Sequence, residues 1–157
     1  MIITASYGSL TVPARARADF DRAVDYLSRD PGERDLFDRL EHGSHAIRLA
    51  TNAHGDDSYD PMTHTIHWDP HSALHTTAGG AQSPALGLGH EVDHAVEDDA
   101  TRAALGERAV RGYDTAEERR VIRGSEAAAA RTLGEGQRYD HRGTPYHVDS
   151  PTAMLLA

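Results

Sequence analysis

The sequence predicts an α+β domain, and three observations predict it. Amphipathic helical periodicity opens and closes the chain, short runs with strand alternation lie between, and a separate helix carries a histidine-acid string. Two helices, then strands, then the histidine helix and another long helix give that class. At 157 residues the chain makes one domain, spanning 1–157, large enough for a proper core.

Ile2-Ile3-Thr4 reads as a first strand. Over 14–28, Phe20, Ala23, Val24 and Leu27 share one helical stripe, and Asp30-Pro31-Gly32 reads as a turn. Leu36, Phe37 and Leu40 form the inner face of a second, short helix closed near Gly43. His45 to Thr51 alternates as a strand, Asn52 to Pro61 is an acidic loop, and Thr65-Ile66-His67-Trp68 is strand-like. Residues 71–82 are small and polar, a predicted loop. Ser83-Pro84 then supplies an N-cap and a first-turn proline, a helix-start signal. Residues 100–114 read as irregular, 115–133 as one long helix, and 134–157 as a turn-rich tail.

The helix starting at Ser83-Pro84 carries His90-Glu91-Val92-Asp93-His94, an H-E-x-x-H string. Residues four apart share a helix face, so His90 and His94 can offer two imidazole nitrogens to one tetrahedral ion. Glu91 beside them is placed to take a proton from the attacking water. At this histidine content about 0.04 such strings are expected by chance. Leu88, Val92, Ala95 and Val96 form a buried stripe, leaving Gly87, His90, Glu91 and His94 on a neighbouring face that looks into a cleft. Gly87 and Gly89 each cost about 1 kcal/mol of helix propensity, which suggests close approach by another backbone or, equally, late helix initiation. The strand before this helix is expected to border the cleft and pair with extended substrate.

A catalytic zinc needs a third protein ligand and one open position. Glu118 shares a face with Val121, Ile122 and Ser125 and is the preferred third ligand, with Glu117 in reserve. An ordinary acidic first turn explains the pair equally well. Asp114, Glu126, His141 and His147 are further possible ligands. His64, His67, His71 and His75 have spacings that define no zinc geometry and are expected to be solvated or locally hydrogen-bonded. Arg138, Tyr139 and His141, in a tail folding back, are candidate donors to the oxyanion of an attacked carbonyl. These residues point to one Zn2+ and a metal-dependent hydrolase, most naturally a peptidase. Two rivals remain: a binding module with a structural zinc, closed by His141 or His147, and a hydrolase of a non-peptide amide.

The composition narrows the partners. A net charge of −9 argues against nucleic acid, and no run approaches a membrane span. No charged-then-apolar signal peptide opens the chain. With no cysteine, any zinc is held by His and carboxylate alone. All 16 basic residues are arginine, which a GC-rich genome explains; escape from ubiquitination inside a foreign cell is the sharper alternative. A monomer acting on a protein substrate is the expectation.

Leu88-Gly89-His90-Glu91-Val92-Asp93-His94-Ala95 resembles the active-site helix of the NleD-type bacterial effector metallopeptidases, which include type III secretion effectors. Glu117-Glu118-Arg119-Arg120-Val121-Ile122 resembles their downstream acidic helix. Arg138-Tyr139-Asp140-His141-Arg142-Gly143 is similar to their closing segment, and Tyr59-Asp60-Pro61 through Trp68-Asp69-Pro70 to their strand region. The resemblance implies a zincin-like fold, one catalytic zinc, release from a bacterium into the host cytosol, and cleavage of host mitogen-activated protein kinases. It makes His90 and His94 ligands, Glu91 the base and Glu118 the third ligand. The chain starts near its first strand, so it is expected to be a toxin module whose delivery segment lies elsewhere. Four residues beyond Glu118 stands Ile122, so the carboxylate that orients a ligand histidine in thermolysin-like enzymes must come from another place.

Overall fold

Phe20, Ala23 and Leu27 are buried along α1 (Arg17–Leu27), and Leu36, Phe37 and Leu40 along α2 (Pro31–Glu41). Each fully buried side chain of this size contributes about 1.5–3 kcal/mol. The computed structural model describes residues 4–7 and 9–155. Of the expected first strand, Ile2 and Ile3 lie outside the described residues. The two helices connect β2 (Leu10–Pro13) to β3 (Ile47–Thr51) as a parallel crossover.

The main sheet has the order β1-β2-β3-β5-β4, with β1 at Thr4–Tyr7, β4 at Ser58–Asp60 and β5 at Thr65–Trp68. Strands β2, β3 and β5 are parallel; β1 and β4 run antiparallel to their neighbours at the two edges. A smaller antiparallel sheet has the order β10-β6-β7, from Thr144–His147, Ser72–His75 and Ala81–Gln82. The architecture is thus α+β with small mixed sheets.

Helix α3 (Pro84–Val96) carries the H-E-x-x-H string and packs against α1, α2, β4, β5 and β6. Ser83 caps it by accepting from the Leu86 N–H, and Trp68 donates its indole N–H to the Pro84 carbonyl at 2.8 Å. Glu135 from the tail accepts from both the N–H and the hydroxyl of Ser83. Leu88 and Val92 are wholly buried, as the stripe requires. The two glycines of this helix face side-chain carboxyls, and not the neighbouring backbone that the sequence suggests. A Cβ on Gly89 would stand 2.6 Å from Glu33 Oε2, and one on Gly87 2.5 Å from Asp57 Oδ2.

Several elements differ from the sequence reading. Asp30-Pro31 is no turn: Asp30 caps α2 and Pro31 starts it, the same device as Ser83-Pro84. The loop at 71–82 is the β6–β7 hairpin, and the acidic loop contains β4, both too short to show alternation. Residues 100–114 hold α4 (Asp99–Gly106), capped by Asp98, and β8 (Ala109–Val110), which pairs with β9 (Asp114–Thr115). The strand Thr65–Trp68 is enclosed between β3 and β4, so the edge that borders the cleft is β4. The long C-terminal helix is α5 (Ala116–Val121) and α6 (Ala127–Leu133), joined by a π turn over Ile122–Glu126 in which Gly124 leaves helical geometry.

Glu33 is fully buried, and among the described residues neither carboxyl oxygen has a hydrogen-bond partner. Burial, reinforced by Asp30, Asp93 and Glu126, pushes its carboxyl up to about 8. The unfolded chain therefore loses this proton first as pH rises. Stability should fall by up to about 1.4 kcal/mol per unit between about pH 4.5 and 8, and be unaffected by this group below that window. Glu33→Gln should flatten that slope in denaturant melts at stepped pH; an unchanged slope would place the buried proton elsewhere. Gly89→Ala should cost about 1–3 kcal/mol, and the cost should shrink when combined with Glu33→Ala in a double-mutant cycle.

Candidate metal centre

One helical turn brings the rings of His90 and His94 together with their Nε2 atoms 3.0 Å apart. Glu118, on α5, faces both: Oε2 lies 2.9 Å from His90 Nε2 and Oε1 3.2 Å from His94 Nε2. Bonds of about 2.0–2.2 Å to a tetrahedral ion would set such atoms about 3.3–3.5 Å apart. The three groups thus need to open by only about half an ångström or less to hold a divalent cation. Glu91 flanks them, its Oε1 3.8 Å from His90 Nε2.

The opposite ring nitrogens are also taken. His94 Nδ1 lies 2.7 Å from Glu117 Oε2, and His90 Nδ1 2.8 Å from Glu126 Oε1. On a neutral ring a carboxylate at Nδ1 favours the Nδ1–H tautomer, whose Nε2 lone pair can face an ion. Glu117 thus meets Nδ1 of His94, while Glu118 faces its Nε2. Glu126, weighed as a ligand from sequence, supports His90. These two supply the outer shell that Ile122 cannot. Each is met by an arginine: Arg120 Nε and Nη2 donate to Glu117 at 2.8 Å, and Arg138 Nε and Nη2 donate to Glu126 at 3.0 and 2.5 Å. Arg120 also donates to Asp93 within the motif, whose second oxygen accepts from Ser125.

The π turn is what lets one helix serve both rings. In an unbroken α-helix Glu126 would stand about 80° round from Glu118. The break at Gly124, whose φ of −96° and ψ of −108° leave helical geometry, re-aims the chain so that Glu126 reaches His90.

Electrostatically this is a buried nest of acids. Burial opposes charge on both rings, yet Glu91, Glu118 and Glu126 push His90 up to about 10, while Glu117 and Glu118 push His94 up to about 9. Burial favours the neutral acid at Glu118 and Glu126 as well, but the imidazoles hold Glu118 far below the carboxylate range and, with Arg138, bring Glu126 down to about 2. Glu91 stands farther off, 3.8 Å from His90 Nε2, and burial raises its carboxyl above the ordinary value against the pull of both imidazoles.

Two cavities meet at this centre. A cleft of about 620 Å³, with walls that include Tyr59, Pro61, Met62 and Ala103, reaches Glu91, His94 and Glu118. A smaller cavity of about 240 Å³, bordered by Ser72, Gln82, Arg138 and Pro145, reaches His90 and Glu91 from the other side. Asp57, Glu91 and His141 belong to both.

The tail does fold back, pinned by β10 on β6 and by the His141 N–H donating to the Gly112 carbonyl. It delivers only some of the expected oxyanion donors. Tyr139 is 65% exposed and lines neither cavity. Arg138 has Nε and Nη2 committed to Glu126. His141 remains, with Nε2 3.4 Å from Glu118 Oε2, Nδ1 3.3 Å from Asp114 and its ring parallel to that of His90. His147 stacks on His71, His75 on Tyr146, and His64 on His45, and none of these rings joins the centre. Sequence reasoning missed Asp57, Asp93 and Arg120. Only Gly87, four residues before Glu91, hinted at the first. Compared with protein-family models, curated proteins and solved structures, the chain matches none.

Removing either supporting carboxylate should loosen the metal without dismantling the fold. Glu126→Gln and Glu117→Gln should each weaken Zn2+ affinity about 10- to 100-fold in chelator competition, and Arg138→Met should act in the same direction. Unchanged affinity in all three would mean that the rings hold their orientation unaided.

Proposed function

We propose that the chain is a zinc-dependent endopeptidase of zincin-like type. The observation that carries the reading is the convergence of three ligand atoms, beside Glu91, at the junction of cavities that open on both sides. A groove crossing the centre suits an extended peptide. A closed pocket would favour hydrolysis of a small non-peptide amide instead.

His90, His94 and Glu118 would hold the ion, and the donor set of two imidazoles and one carboxylate is one that zinc accepts. Zinc, when bound, supplies a Lewis acid for the carbonyl and lowers the pKa of water. Glu91 takes the proton of the attacking water and passes it to the leaving nitrogen. His141, held by Asp114 and the Gly112 carbonyl, donates Nε2–H toward the oxyanion. Glu117 and Glu126 keep the ligand rings aligned. By resemblance to the NleD-type effectors, the substrate would be a host protein, with mitogen-activated protein kinases the first to test.

Glu91→Ala should retain zinc by metal analysis while losing at least about 10²-fold in peptide cleavage. Cleavage at the wild-type rate would remove Glu91 as the base. A second reading follows from the place of His141, close enough to Glu118 to complete a closed structural site with His90. His141→Ala separates the two. As an oxyanion donor its loss should lower kcat about 10²- to 10³-fold with affinity for zinc kept. As a fourth ligand its loss should weaken zinc binding itself.

A further inference from the structure

The two acids that flank the metal helix at its glycines have different surroundings. Glu33 is sealed in the interior. Asp57 is partly buried and lines both cavities where they meet beside Glu91. Its Oδ1 accepts the Asp69 N–H at 2.8 Å, which fixes the plane of the carboxyl. Its Oδ2 has no hydrogen-bond partner among the described residues. That oxygen rests over Gly87, where a Cβ would stand 2.5 Å away. Gly87 precedes Glu91 by four residues, so the oxygen lies one turn before the base on the same helix face. Glycine at 87 gives the acid its seat.

We propose that Asp57 is a substrate-contacting residue of the centre, whose Oδ2 accepts a hydrogen bond from the N–H of the scissile peptide group and holds that nitrogen as it leaves. The inference rests on the endopeptidase reading. In that chemistry water oxygen bonds to the carbonyl carbon, the C–N bond breaks with its electron pair going to nitrogen, and the nitrogen takes the proton carried by Glu91. The leaving nitrogen must therefore come within reach of Glu91. One turn before Glu91 on that helix face, over Gly87, stands Asp57 Oδ2, an oxygen without a hydrogen-bond partner among the described residues. As the nitrogen gains its proton it becomes a stronger donor, so the contact tightens toward the transition state rather than merely aiding binding.

The test compares an amide with an ester. A fluorescence-quenched peptide selected from a mixed-sequence library on the zinc-loaded wild-type protein is resynthesised as the depsipeptide with oxygen in place of the scissile N–H. Asp57→Ala should lower kcat for the peptide about 10- to 100-fold with a smaller change in KM, and lower kcat for the depsipeptide less than about 3-fold. Asp57→Asn, which keeps an acceptor for the Asp69 N–H but sets an NH2 donor where Oδ2 stood, should keep the wild-type melting temperature and show an amide-selective loss at least as large as that of Asp57→Ala. Equal losses on both substrates, or no loss on either, would overturn the role of Asp57 while leaving the peptidase reading intact. A wild-type protein that cuts no peptide in the library would overturn the reading and this inference together.

Discussion

Negative charge buried around two imidazoles is the constraint on which the rest of the structure depends. Glu117, Glu118 and Glu126 touch the rings of His90 and His94, and Glu91 stands beside them. Arg120 and Arg138 offset part of that charge. What remains must be balanced by protons on the imidazoles or by a divalent cation. Desolvated carboxylates without such a counter-charge would be costly, so the site favours positive charge at its centre whatever form that charge takes. The same arrangement leaves both Nε2 atoms facing inward, which is what a metal requires.

That constraint explains why distant segments are tied together. The tail contributes Arg138 and His141 only because β10 is paired on β6 and Glu135 is bound to the cap of α3. Helix α4 closes the other end: Arg102 donates to the last carbonyls of α3 and lies over the Tyr59 ring on the cleft wall. The cleft wall and the histidine cluster are therefore braced by the same few contacts.

Much of this was legible from the residues. The H-E-x-x-H string, its cap at Ser83-Pro84 and the buried stripe through Leu88 and Val92 follow from helical periodicity and capping chemistry. What was not legible depends on tertiary packing. Three-residue and two-residue strands such as β4 and β7 carry no readable alternation. The adjacent acids Glu117 and Glu118 look alike in sequence, and only the direction of α5 decides that one meets Nε2 and the other Nδ1. Asp57 sits in a loop 34 positions before Glu91, and no local pattern joins it to the helix it touches.

The π turn at Ile122–Glu126 has a consequence for how this centre is written in a chain. In a straight helix, position 125 would point the same way as Glu118, at a separation of seven. Here the extra residue moves that duty to Glu126, at a separation of eight, and releases Ser125 to bond Asp93. Two chains with identical chemistry could differ by one inserted residue in this interval. A gap-free alignment of them would match an acid to a serine and hide their kinship.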